Sequence, residues 1–194
     1  MLEVARHLAE QAGMVNVRFV QSDAQACPLR RDSFDVVISN FGVMFFHDPR
    51  AAFASIATVV RPRGRLAFLC WQDDTQNEVF AIPLRAFGAY TQLPAPTAAD
   101  LFVDPSQIAG LLSGTGWTDI QVTPVTRPAW IGSDVDDVMS YIVGMPMIRS
   151  LTAGLDQGLT RRALASIAEQ YAARQRPDGV WVRAAAWLVT AGRA

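Results

Sequence analysis

Apolar and polar positions along this chain switch between strand-like and helix-like periods, and the switches mark out its elements. Asp35-Val36-Val37-Ile38-Ser39-Asn40 is almost wholly apolar at its centre, β-branched and too short for an ordinary helix, which predicts a parallel strand buried on both faces. Upstream, Val17-Arg18-Phe19-Val20-Gln21 predicts another strand, ending in Ser22-Asp23-Ala24; downstream, Gly64-Arg65-Leu66-Ala67-Phe68-Leu69-Cys70 predicts a third. Ala24 to Ser33 has no helical period and reads as a loop. Asp48 as N-cap and Pro49 at the first helical position open a helix that buries Ala52, Phe53, Ile56, Val59 and Val60 and ends in a tight turn at Arg61-Pro62-Arg63-Gly64. Strand, strand, helix, strand predicts an α/β sandwich.

The flanks follow the same logic. Met1, Val4, Ala5, Leu8 and Ala12 recur at helical spacing before Gly13, a natural C-cap, so the chain opens inside an amphipathic helix. Such a start fits either a missing upstream segment or a helix that begins at the terminus. A helix is predicted over 77–90, then a hinge-like linker at Leu93-Pro94-Ala95-Pro96. Asp104-Pro105 repeats the cap-and-proline device, with Ile108, Leu111 and Leu112 inward, and Trp117 to Val122 predicts a strand. From Ser133 to Gln175 the period is helical, broken at Gly144-Met145-Pro146 and around Gly154 to Gly158; Pro177-Asp178-Gly179 turns the chain into a last strand, Ala184 to Ala191.

Composition narrows the function classes. The 194 residues are 51% apolar with a formal charge of −1, which suits one domain with a sizeable core and argues against a disordered tail or a broad nucleic-acid-binding surface. The partners expected are small or apolar molecules. Cys27 and Cys70 lie far apart with no signal peptide ahead of them, which predicts reduced thiols and a cytoplasmic setting, and no apolar run reaches membrane-spanning length. Two scattered histidines and two cysteines predict no metal site. The chain has no Gly-x-Gly-x-x-Gly after a strand, which sets aside a nicotinamide-dependent oxidoreductase.

A few side chains stand out chemically. Asp23 follows a predicted strand at its carboxyl end, where α/β sheets bind ligands, although an Asp there equally starts a turn. His47 has an imidazole suited to general-base work on a phenol or amine, or is a surface loop residue beside the Asp48 cap. Met44, Phe45 and Phe46 read as core.

Taken together, Asn16-Val17-Arg18-Phe19-Val20-Gln21-Ser22-Asp23-Ala24, Ser33-Phe34-Asp35-Val36-Val37, Asp48-Pro49, Arg61-Pro62-Arg63-Gly64-Arg65-Leu66, Gly116-Trp117 and the closing strand resemble class I S-adenosylmethionine-dependent methyltransferases, nearest the ubiquinone and menaquinone branch. The resemblance implies a Rossmann-like sheet of order 3-2-1-4-5-7-6 with the seventh strand antiparallel, here missing its first two strands and the glycine-rich loop they carry, with a helical lid between the last strands. It implies a single domain over 1–194: a cofactor-side half at 1–90, lid and substrate-side elements including strand 117–122 at 91–175, and the final strand at 176–194. The Ala24 to Ser33 loop, ten residues reaching about 33 Å, is long enough to cross two absent strands but does not require them. Arg63 stands where relatives usually have glycine.

By the same resemblance S-adenosyl-L-methionine is the cofactor. Asp23 would accept from the adenine amino group, the Ala24 backbone would touch the ring, and Asn40 and Phe41 would lie near the sulfonium and methyl. Trp71, Trp130, Tyr141, Met145 and Met147 fall in segments the family uses over the acceptor, though aromatic residues at helical spacing are also plain core. Ser39-Asn40-Phe41-Gly42 is not the Asn-Pro-Pro-aromatic signature of DNA amino-methyltransferases, so the acceptor expected is a small organic molecule rather than nucleic acid. The alternative is a truncated module without cofactor that binds partners or dimerises through an open sheet edge.

Overall fold

The structure, a computed structural model, describes residues 1–26, 28–92 and 101–194; Cys27 and the linker at Leu93 to Pro96 lie outside the described residues. The elements in chain order are α1 (Leu2–Gln11), β1 (Phe34–Asn40), α2 (Pro49–Val59), β2 (Val60–Trp71), α3 (Glu78–Gly88), α4 (Pro105–Ser113), β3 (Trp117–Gly132), α5 (Val135–Gly144), α6 (Pro146–Thr152), α7 (Gln157–Ala172), β4 (Gln175–Arg176) and β5 (Gly179–Arg193). The sheet runs β1-β2-β5-β3, with β4 folded back on the start of β5. β1 and β2 are parallel, and β5 is antiparallel to both β2 and β3. This is the 4-5-7-6 portion of the sheet that the resemblance implies.

Side-chain alternation along β5 divides the interior into two cores. Val189 and Ala191 join Leu66, Phe68, Phe53, Ile108, Leu112 and Trp117 under α2 and α4. Val180 and Val182, on the other face by the two-residue period of a strand, join Ile82, Ile142, Ile167 and Tyr171 under α3, α5 and α7. The helical segment predicted over 133–175 is thus α5 to α7, covering one face between β3 and β5. Four helix starts carry an Asp cap: Asp48 and Asp104, as expected, and also Asp134 and Asp156 accept backbone N–H bonds at the N-termini of α2, α4, α5 and α7.

The structure departs from the sequence expectations in four places. Val17–Gln21 forms no strand, because an extended segment without a ladder partner gains no sheet hydrogen bonds, and Val17 and Val20 are exposed. β1 is extended as expected but is the edge of the sheet: Val37 packs inward while Val36 is 52% and Ile38 79% exposed, so it is not buried on both faces. α1 forms, yet none of its residues is buried; its apolar stripe faces solvent.

The fourth departure is at the far edge, where β3 runs from Trp117 to Gly132 rather than stopping at Val122. Pro124 and Pro128 argue against a central strand, but on an edge strand the missing N–H costs no ladder bond, and pairing with the long β5 extends it. β2 likewise begins at Val60, directly after α2, with the Arg61–Gly64 turn as a bulge between the Phe34–Val60 and Val36–Arg65 pairs. Arg63 takes φ 67° there, a conformation that costs a side-chain-bearing residue about 1 kcal/mol and that glycine adopts freely.

Candidate active site

The carboxyl ends of the parallel strands β1 and β2 open onto the same side of the sheet, and the chain beyond each end lines a crevice. Phe41, directly after β1, takes φ 56°, which turns the backbone sharply and lays its ring on Trp71 at the end of β2, with centroids 4.0 Å apart and planes 22° off parallel. Phe80 of α3 meets Trp71 edge-on at 5.8 Å. The Trp71 backbone N–H donates to Met44 Sδ at 3.3 Å, tying the turn after β1 to the end of β2.

Two adjoining hollows share Trp71 and Phe80. One, of about 510 Å³, is lined by Met44, Phe45, Trp71, Gln72, Asp73, Asp74, Phe80, Val103, Met145 and Pro146. The other, of about 300 Å³, takes in Val79, Ala129, Trp130, Ile131 and Tyr141. Of the residues singled out in the sequence, Phe41, Trp71, Trp130, Tyr141 and Met145 are therefore brought together around one aromatic surface. Trp130 is held there by its indole N–H, which donates to the Asp178 carbonyl at 3.1 Å. Met147 packs instead against the core under the lid.

Asp23, Ala24 and His47 belong to neighbouring loops, Asn40 ends β1, and none of the four lines either hollow. With no strand before it, Asp23 sits in a short turn: its Oδ1 accepts from the Gln25 N–H at 2.9 Å and Oδ2 lies 3.5 Å from the Gln25 amide. The Gln25 side chain in turn accepts from the Asp48 N–H at 2.5 Å, so the Asp23–Ala24 turn is clamped to the start of α2. Asn40 is exposed at the carboxyl end of β1, and His47 is exposed on the loop just before Asp48.

Sequence reasoning missed three contributors. Phe45, read as core, is 84% exposed and lines the larger hollow, whereas Met44 beside it is buried. Phe80 and the polar run Gln72-Asp73-Asp74 complete the rim. Asp73 is partly committed, because it accepts from the Thr75 N–H at 2.9 Å and from the Thr75 hydroxyl. Phe80 sits at helical spacing like any core residue, so nothing local separated it; the Gln72–Asp74 run follows a predicted strand at its carboxyl end, which was a usable signal.

Groups behind the crevice are structural. The Cys70 thiol is fully buried and donates weakly toward the Phe102 carbonyl at 3.9 Å; burial pushes its pKa up to about 12, so it stays protonated and unreactive. Burial likewise raises the Tyr171 phenol, whose hydroxyl donates to the Val79 carbonyl. No group of three or more His, Cys, Asp or Glu able to hold a metal occurs among the described residues.

A methyltransferase-domain family model matches residues 1–68. The chain is 35% identical over 108 residues to a ubiquinone/menaquinone biosynthesis C-methyltransferase of Stutzerimonas stutzeri, covering 55% of this chain and 41% of that protein. It is 30% identical over 134 residues to the demethylmenaquinone methyltransferase of Thermus thermophilus, covering 61% and 59%. The matches thus span from about two fifths to three fifths of those relatives' lengths. Among solved structures, the YcgJ protein of Bacillus subtilis superposes with a TM-score of 0.58 at 19% identity over 100% of this chain and 78% of its own. By sequence, residues 1–68 are similar to a methyltransferase domain, and by fold the whole chain is similar to the YcgJ protein.

Proposed function

We propose that this chain transfers a methyl group from S-adenosyl-L-methionine to a small apolar or aromatic acceptor. The observation that carries this reading is the convergence of the two parallel strand ends on the Phe41–Trp71 stack, with aromatic and methionine side chains around the adjoining hollows. The residues fit the cofactor on its adenine side: Oδ2 of Asp23 has only a 3.5 Å contact, leaving acceptor capacity for an exocyclic amine, and Ala24 is fixed by the Gln25–Asp48 clamp. When bound, the cofactor supplies an electrophilic methyl on a sulfonium.

The chain's own part is to bind and align. Asn40 and Phe41 end β1 beside the Trp71 face, where they would border the methyl, while Trp71, Trp130, Tyr141 and Met145 would hold the acceptor and exclude water. Alignment of nucleophile, carbon and sulfur alone is worth effective molarities of about 10⁵ to 10⁸ M, so no nucleophilic triad is required. His47, on the exposed loop after β1, is the candidate to take the proton an acceptor hydroxyl or amine releases. Names of relatives that act in quinone biosynthesis support an aromatic acceptor.

The same reading places α5 to α7 as the lid of one domain and the protein in the cytoplasm. The free, buried Cys70 thiol supports that compartment, and no described helix is long and apolar enough to cross a membrane. It also includes self-association through the outer edge of β1, where Phe34, Val36 and Ile38 are exposed.

Calorimetric titration with S-adenosylhomocysteine tests the central claim. Micromolar binding is expected, weakened at least about tenfold in Asp23→Ala, the loss of one hydrogen bond to a charged acceptor. Absence of heat and of thermal stabilisation would overturn the cofactor assignment for this chain.

A further inference from the structure

A third hollow, of about 600 Å³, lies along the paired strands β3 and β5 next to the smaller hollow, with which it shares Val182, and takes no part in the reading above. Its lining includes Arg127 of β3, Arg174 just after α7, Arg176 of β4 and Arg183 and Trp181 of β5. Four of the chain's seventeen arginines gather here, in a protein whose formal charge is −1. The one carboxylate in the lining, Glu78, is already committed. Its Oε1 accepts from Arg174 Nε and Nη2 at 3.1 and 2.6 Å, and its Oε2 accepts from the Arg183 backbone N–H at 2.7 Å.

Arg127 and Arg176 form no ion pair among the described residues, and Arg183 lies near enough to Glu78 to lower its pKa without forming a direct pair with it. Arg127 donates to the neighbouring Thr126 carbonyl, Arg183 reaches the Gln76 amide oxygen only at 3.5 Å, and Arg176 lies 5.8 Å from the centre of the Trp181 ring. The Trp181 indole is itself fixed by an N–H bond to Asp178 Oδ1 at 3.0 Å, so it offers a steady surface under Arg176. Planar guanidinium groups with unused N–H pairs, on paired strands rather than on a loop, match the oxygens of a phosphate two at a time.

We propose that the groove bounded by Arg127, Arg176, Arg183 and Trp181 binds a small phosphate-bearing molecule. The shared chemistry is the phosphate; its source is a soluble phosphate ester or diphosphate rather than a lipid headgroup, because a hollow of about 600 Å³ bordered by β3, β5, the start of α3 and the end of α7 has room for a whole small molecule. Glu78 holds Arg174 in place, and the N–H groups of Arg127, Arg176 and Arg183 remain to meet the ligand.

The test is calorimetric titration of the whole chain with inorganic pyrophosphate at about 0.15 M salt, where the screening length is about 8 Å and diffuse surface attraction is weak. Binding is expected, with a rise in melting temperature. Arg176→Gln with Arg183→Gln should weaken it at least about tenfold, while Arg161→Gln with Arg162→Gln, exposed on α7 and outside the groove, should change it less than about twofold. Should the first pair fail to fold, Arg127→Gln alone, at an exposed edge-strand position, gives the same comparison with a smaller loss. No binding, equal losses in both pairs, or binding only to phosphatidylglycerol vesicles overturns the proposal. S-adenosylhomocysteine binding, measured on the same variants, is expected to be unchanged, so failure here leaves the methyltransferase reading standing.

Discussion

Glu78 shows how one side chain takes two jobs. It anchors the Arg174 guanidinium after α7 and satisfies the Arg183 N–H of β5, which lies beyond the last β2–β5 pair, Trp71 with Ala186. Its pKa is held below the usual carboxylate range, first by the Arg174 side-chain bond, against a smaller opposing effect of burial. A depressed folded-state pKa means the stabilisation is present above the unfolded value, near 4.3 for Glu, and fades as the pH falls through the lower folded value. Glu78→Gln is therefore expected to cost about 1–2 kcal/mol at pH 7, less as the pH falls toward 3, read from urea midpoints across that range. A gap that stays constant with pH would mean the charge is not what matters. Nothing in the sequence marked Glu78, because its partners lie 96 and 105 residues away, whereas Asp48 and Asp104 were legible as caps because each needs only the N–H two or three residues ahead.

At the scale of elements, α3 is joined to the sheet through the residue before it. Asn77 is fully buried; its Oδ1 accepts from the Ala185 N–H at 2.7 Å, and its Nδ2 donates to the Gln72 and Asp73 carbonyls at 3.2 and 3.3 Å. This network carries Phe80 to the Trp71 edge, so the aromatic crevice depends on an amide that touches no ligand. Asn77→Ala strands a buried N–H and two carbonyls, and a loss of about 2–4 kcal/mol is expected in chemical unfolding. A loss under about 0.5 kcal/mol would show that water replaces the amide. The helices and the strand–turn–helix order were readable from period and capping; the reach of β3 and β5 was not, because long mutual pairing outweighs the prolines that sequence rules count against a strand.

At the scale of the molecule, the sheet is well covered at its β5 centre and open at β1. The exposed Phe34, Val36 and Ile38, and the unburied stripe of α1, leave apolar side chains open to solvent. Sedimentation velocity is expected to show concentration-dependent association that Ile38→Lys suppresses, since a charge on an edge strand opposes pairing; a chain that stays monomeric at all concentrations removes the self-association reading. By itself the sequence determined what depends on near neighbours: caps, turns, helical faces, the four strands that have partners, and a family likeness spread over many short motifs. Only the tertiary structure decided which faces are covered, that Val17–Gln21 finds no ladder, that Phe45 is outside while Met44 is inside, and that Phe41, Trp71, Phe80 and Tyr141 meet. Burial and contact between distant residues are set by packing across the whole sheet, and local periodicity carries no record of them.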